Sequence, residues 1–181
     1  MIEIVIKENT LVKLMEVHHA KQFYEFAVRG KENFIKWIPF ISKCKNEEDF
    51  KVLIQLFLEK LMNGTGYLYG LWHHGKTIGI VLVREIDESA NWAEIGYMID
   101  IEHEGKGIIK EACIRLIEFL FIERRVQKIV ICCDDRNERS IALAKTLGFE
   151  FEGNLRRHSR VNEELCNLMH FGLLKEEFIK D

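Results

Sequence analysis

Residues 100–109 read D-I-E-H-E-G-K-G-I-I, the end of an extended run, then two spaced glycines, then the start of an apolar helical stripe. That order of residue types suits an anion. The first turn of a helix presents N–H groups with no partner inside the helix, and it carries the positive end of the helix dipole. Gly105 and Gly107 let backbone amides wrap a phosphate, and Lys106 and Lys110 add charge nearby. A tight strand-to-helix turn with no ligand uses the same residues. Neither G-x-G-x-x-G nor G-x-x-x-x-G-K-[ST] is present, so a nicotinamide cofactor or a nucleoside triphosphate is poorly supported. No Gly-x-Ser-x-Gly elbow suggests a serine hydrolase, and no Cys/His spacing resembles a metal site. Asn137, before a second helical stretch, has the residue type of an N-cap.

These residues must be held by regular elements. The extended run is a strand over 92–101, and the helix after the glycines reaches about residue 123. Its stripe is Ile109, Ala112, Cys113, Leu116, Ile117, Leu120 and Phe121, one face of a 3.6-residue period. Residues 126–133 are apolar on both faces apart from Gln127 and Lys128, the pattern of a central, doubly covered strand. A helix over 138–147 ends at Gly148, and 149–157 with 165–171 form a hairpin. Upstream, 1–16 hold one or two short strands, and 17–36 are helical but broken near Arg29-Gly30. Asn46 caps a helix closed by Asn63-Gly64, and 67–73 with 76–86 form a hairpin turning at His74-Gly75. The order predicts an α/β (α+β) fold, a single domain over 1–181 with helices packed on both faces of a mixed, mostly antiparallel sheet.

Composition narrows the function. The chain has 181 residues and a formal net charge of −3, so no strong positive field marks a nucleic-acid binder. No apolar run is long enough to span a bilayer, and the start does not read as a secretory signal. Five cysteines without a CxxC pair read as reduced thiols of a cytoplasmic protein. Arg156-Arg157-His158-Ser159-Arg160 is a basic cluster that fits an acidic protein, ribosomal RNA or simply a solvated strand end.

Ala93-Glu94-Ile95-Gly96-Tyr97, followed by Glu104-Gly105-Lys106-Gly107-Ile108-Ile109-Lys110-Glu111-Ala112, closely resembles the central motif of the GNAT superfamily of acyl-CoA N-acyltransferases. Asn137-Glu138-Arg139-Ser140 resembles that family's Asn-x-x-Ser, and Leu147-Gly148-Phe149-Glu150-Phe151-Glu152-Gly153 its Leu-Gly-Phe-x-x-Glu-Gly. The resemblance is strongest over 66–175, and the branch it most resembles is the RimJ/RimL type, whose named members acetylate N-termini of ribosomal proteins. It implies acetyl-CoA as co-substrate, no metal, and a sheet splayed between the strands at 92–101 and 126–133. It implies that Met98, Ile99 and Ile101 offer main-chain groups to pantetheine. Amides around Gly105, Lys106, Gly107, Ile108 and Ile109 would hold the pyrophosphate, and Asn137 would bond the pantetheine arm while it also caps its helix.

Glu94, which regular pairing sets on one strand face with Gly96 and Met98 at the cleft mouth, is the candidate base. By the same resemblance Ser140 is the candidate proton donor to the departing thiolate, with Tyr97 in reserve. A salt bridge for Glu94 and a bond from Ser140 back to a carbonyl are the structural alternatives. The sequence departs from the family at Glu104, an anion beside the phosphate loop, at Ile109, where a small residue is usual, and at Asn167, where many relatives carry Asp. The implied acceptor is a primary amine, most simply a protein N-terminus. A small amine (aminoglycoside, polyamine or amino-acid derivative) and a non-catalytic CoA-binding module stay open, as does a homo-oligomer. Trp37, Phe40, Tyr67 and Trp92 are candidates to line the acceptor pocket. No direct contact with nucleic acid or membrane is expected.

Overall fold

The computed structural model describes residues 3–161 and 163–178. The alternating N-terminal stretch forms β1 (Glu3–Ile6) and β2 (Thr10–Leu14) around a 3-10 turn at Lys7–Asn9. Glu8 and Asn9 take positive φ there, 55° and 50°, as a tight turn between twisted strands requires. The expected helix breaks into α1 (Ala20–Arg29) and α2 (Lys31–Phe34) at Gly30, where a Cβ would collide with the Phe34 ring. A short helix, α3 (Pro39–Lys43), follows. The sequence reading did not anticipate it, because five residues are too few to show a helical stripe. Proline at its start needs no hydrogen-bond acceptor. α4 (Glu47–Met62) begins as expected, with Asn46 Oδ1 accepting from the Asp49 N–H at 3.1 Å.

β3 (Tyr67–His73) and β4 (Lys76–Asp87) form the expected hairpin, with His74 and Gly75 both at positive φ. β5 spans Trp92–Ile99, shorter than the strand over 92–101. The chain leaves the strand at Asp100, whose carboxylate is held by Arg29 of α1 at 2.9 Å, and then makes a 3-10 turn at Ile101–His103. α5 (Ile108–Ile122), β6 (Lys128–Asp134), α6 (Glu138–Thr146), β7 (Glu150–Val161) and β8 (Glu164–Leu174) complete the described chain.

The eight strands of the described residues join one sheet in the order β1-β2-β3-β4-β5-β6-β8-β7. Every pairing is antiparallel except β5 with β6. A parallel neighbour needs a crossover, and α5 supplies it. One face buries Ile95, Ile129, Ile131 and Phe171 with Leu116 and Leu120 of α5. The opposite face buries Leu68, Ile80 and Met98 with Phe23 of α1 and Phe50 and Ile54 of α4. The α5 stripe starts one residue earlier than expected. Ile108 is the fully buried member, and Ile109 is half-buried beside the cleft described below. β6 is not covered equally on its two faces either. Ile129, Ile131 and Cys133 are buried, whereas Val130 and Cys132 are half-buried, because α1 packs on β4 and α4 on β3. Among the described residues no helix is long and apolar enough to cross a membrane.

The sheet opens in its middle. β5 and β6 pair from Trp92/Lys128 to Ile95/Ile131, and the ladder stops there. Beyond that point Gly96–Ile99 and Cys132–Asp134 have no cross-strand partner in each other.

Candidate active site

The opening holds a cleft of about 710 Å³. Its walls are the diverging ends of β5 and β6, the starts of α5 and α6, and the segment around α2 and α3 that contributes Trp37 and Phe40. In an antiparallel pair the main-chain groups of successive residues point alternately toward and away from the partner. Asp100 donates its N–H to Ile78 of β4 at 2.8 Å, and Met98 stands opposite Ile80 two residues earlier. Met98 therefore spends its main-chain groups on β4. Tyr97 and Ile99 turn theirs to the gap. Of the strand positions expected to serve pantetheine, Ile99 turns its main-chain groups to the gap. Met98 contributes its side chain to the cleft wall, and Ile101 lies past the strand, exposed and outside the wall.

At the far end Gly105 and Gly107 take φ of 73° and 77°, a region that favours glycine, and Gly107 is the N-cap of α5 with no side-chain cap on it. A Cβ on Gly105 would meet nothing within 4 Å, so the turn is open on that side. The loop thus fits a diphosphate, with N–H groups of the first α5 turn available to it. Ile108 anchors this turn in the core, while Lys106 stands exposed beside it. Lys7, which no motif or spacing marks, is also present. Its Nζ lies 3.5 Å from the position of a Cβ on Gly107, and its own N–H donates to Glu111 of α5 at 3.1 Å. Only the β1–β2 turn, 100 residues upstream, brings it there. Glu104 does not confront the anion site. It pairs with Arg139 of α6 at 2.8 Å, across the two sides of the cleft mouth.

On the α6 side Asn137 Oδ1 accepts the Ser140 N–H at 3.1 Å, the expected N-cap. The Ser140 hydroxyl lies 2.9 Å from the Tyr97 hydroxyl, and Tyr97 also reaches the Ser140 carbonyl at 3.3 Å. Tyr97 packs its ring against the α5 side of the sheet and brings its hydroxyl out at the cleft. Burial holds that hydroxyl well above the ordinary tyrosine range, so it stays protonated.

Glu94 shares a face with Gly96 and Met98, as strand alternation requires. Its side chain is only 18% exposed and its Oε1 meets Arg84 Nε at 3.0 Å. Burial raises the Glu94 carboxyl above its usual range, and this outweighs the lowering by Arg84. Arg84 reaches this place through a β-bulge. The β4–β5 register runs Val83/Ile95 and then Glu85/Glu94, which leaves Arg84 as the extra residue. Arg84 lines the cleft and Glu94 stands behind it. Cys132 of β6 also lines the cleft, 3.6 Å from His170 Nδ1 of β8, and burial together with the Glu94 charge pushes its thiol up to about 12. Arg84 was legible as the first charge after an apolar run. The Cys132–His170 contact follows only from the β6–β8 register, which sequence periodicity does not specify.

Other assignments shift. Trp37 and Phe40 line the cleft, but Tyr67 is buried against Phe119, and Trp92 lies at the start of β5 outside the wall. Asn167 accepts the Arg157 N–H at 3.0 Å and donates to Asp135 at 2.8 Å, so it ties the β7–β8 hairpin to the end of β6. No group of three or more metal-binding side chains occurs among the described residues.

Comparison with known proteins agrees with this geometry. Residues 10–150 match the acetyltransferase (GNAT) domain family. The putative ribosomal N-acetyltransferase YdaF of Bacillus subtilis (strain 168) is 30% identical over 174 residues, covering 96% of this chain and 95% of its own length. The ribosomal-protein-serine acetyltransferase of Escherichia coli (strain K12) is 26% identical over 161 residues, covering 87% and 88%. The solved structure of RimL, a ribosomal L7/L12 alpha-N-protein acetyltransferase in complex with coenzyme A, superposes with a TM-score of 0.90 at 17% identity, over 96% of this chain and 98% of that one. A sheet that parts beside a glycine-turned helix start, in a chain matched along most of its length, places this protein in the GNAT acetyltransferase family.

Proposed function

We propose that this acetyl-CoA-dependent N-acetyltransferase acts on the α-amine at a protein N-terminus, of the kind that its ribosomal-protein relatives are named for. The observation that carries the reading is the gap in the sheet. It leaves the main-chain groups of Tyr97 and Ile99 free between an anion-binding helix start and a buried carboxylate. Acetyl-CoA supplies the thioester acyl group. The first turn of α5, with Lys7, holds its diphosphate, and Tyr97 and Ile99 pair with the pantetheine arm. Asn137 serves that arm with its Nδ2, since its Oδ1 is taken by the cap. An α-amine has a pKa of about 7.7–8.0, so it needs only a modest base to arrive neutral. Glu94, raised by burial, removes that proton through water. Ser140 and Tyr97 place two hydroxyls to return one at the departing sulfur. All five cysteines are free, in accord with the reducing cytoplasm as its compartment.

A thiol-release screen with acetyl-CoA tests the acceptor. Peptides with free N-termini are expected to release thiol, and their N-acetylated counterparts are not. Turnover of polyamines or aminoglycosides in preference to every peptide would move the acceptor to a small amine. Acetyl-CoA binding with no thiol release against any amine would make the chain a non-catalytic module.

Two predictions address the machinery. Lys7→Ala is expected to raise the KM for acetyl-CoA roughly fivefold at unchanged kcat, as for an exposed charge contact of about 1 kcal/mol. Calorimetry should show the same loss for CoA and none for pantetheine, which lacks the diphosphate. Ser140→Ala and Tyr97→Phe are each expected to lower kcat about tenfold, and the double variant by much less than the product, because the paired hydroxyls share one task. Multiplicative losses in steady-state rates would assign them separate roles.

A further inference from the structure

The β7–β8 hairpin carries a feature that the acetyl-transfer chemistry does not use. Its register passes from Leu155/Leu168 directly to Ser159/Cys166, so Arg156, Arg157 and His158 face the single residue Asn167. This wide bulge is built rather than frayed. Arg157 sits at φ 52° and gives its N–H to Asn167, while Asn167 and Asn154 both donate to Asp135 at the end of β6. The result extrudes two exposed arginines and a histidine. Arg160 is already engaged with Glu163, whereas no ion pair among the described residues involves Arg156 or Arg157. The bulge also lies over the cleft side of the sheet. The His158 ring is 6.4 Å from that of His170, which touches Cys132 in the cleft wall.

We propose that this bulge is a docking site for an acidic segment of the acceptor protein, a few residues beyond the amine that is acetylated. The inference rests on the reading of the acceptor as a protein N-terminus. From the Cys132/His170 pair to Asn167 is three residues of β8, about 10 Å at roughly 3.3 Å per residue. An extended acceptor whose amine is in the cleft reaches the arginines at about its fourth to seventh residue. The occupant is a protein segment rather than RNA. Exposed Leu155 and Leu165 flank the arginines, which suits a mixed apolar and charged protein contact. Glu152, Glu163 and Glu164 on the same hairpin would repel a continuous polyphosphate. Two or three carboxylates match the bulge without meeting them.

The test uses a labelled peptide with Asp and Glu at positions four to seven, its N-terminus blocked by acetylation, against the same peptide with Ser and Gln there. Anisotropy should show the acidic peptide binding about tenfold more tightly, as two exposed ion pairs can supply. The preference should vanish in about 1 M salt, where the screening length falls to about 3 Å, and in Arg156→Ala/Arg157→Ala. With free N-termini the acidic peptide should show a lower KM at equal kcat. The double variant should keep wild-type rates on a three-residue peptide too short to reach the bulge, which shows that it is folded. Equal affinities for the two peptides, a preference that survives in the double variant, or displacement by an oligouridylate but not by the unlabelled acidic peptide would overturn the proposal. Tight binding of the blocked acidic peptide with no acetylation of any free one would instead uphold the dock and overturn the N-terminal acceptor.

Discussion

Glu94→Gln is expected to lower kcat about 100-fold on a peptide acceptor at neutral pH, the smaller end of what a positioned general base contributes. Glutamine keeps the shape and still accepts from Arg84, so the loss reports the base rather than the packing. The pH dependence sharpens the test. Glu94 must be ionised to accept a proton, and burial has raised its carboxyl, so wild-type activity should fall as the pH drops through that raised value. The variant should lack this acid limb. Stability should move the other way. A carboxyl raised in the folded state binds protons more readily there than in the unfolded chain. Wild type therefore gains stability as the pH falls from the raised value toward the ordinary glutamate range, and holds the charge at a cost above it. Glu94→Gln should match or exceed wild type in urea midpoint at neutral pH, and that advantage should shrink on acidification. A slow enzyme that is also less stable at neutral pH would mean that Glu94 serves its ion pair with Arg84 and not the proton.

Phe171→Ala is expected to destabilise the protein by about 3–5 kcal/mol, with Phe171→Leu well below that. The ring is fully buried, stands opposite Ile131 of β6 and Phe151 of β7, and packs in the core beneath α5 and α6. Its removal leaves a cavity at the level where β5 and β6 make their last pair. Urea unfolding gives the measurement, and a change under about 1 kcal/mol would show that the site collapses around the vacancy. The acetyl-CoA KM of the alanine variant should rise as well, since β6 forms one wall of the cleft and is held at this position by β8.

Much of the site was legible because its parts announce themselves locally. Gly105 and Gly107 mark a turn with positive φ whatever the rest of the chain does, and Asn137 and Asn46 cap their helices through their own side chains. Alternation was enough to set Glu94, Gly96 and Met98 on one face. What alternation could not supply was the direction of main-chain groups, which depends on where the β4–β5 ladder begins: Met98 turns its own to β4, and Tyr97 turns its own to the gap. Contacts made across the topology were silent for a different reason. Lys7 over Gly107, Glu104 with Arg139, and Cys132 with His170 join residues that no periodicity relates. α3 was too short to leave a stripe, and the Arg84 bulge shows in the sequence only as a charge at the end of an apolar run.

The unzipped middle of the sheet has a consequence for how the protein keeps to itself. Unsatisfied strand hydrogen-bonding groups on an outer rim are an invitation to neighbouring chains and a starting point for aggregation. Here the equivalent groups are recessed, with α5 and α6 starting on either side of them. The fold thus keeps its sticky seam inside the molecule, between two helix starts, rather than on an outer rim.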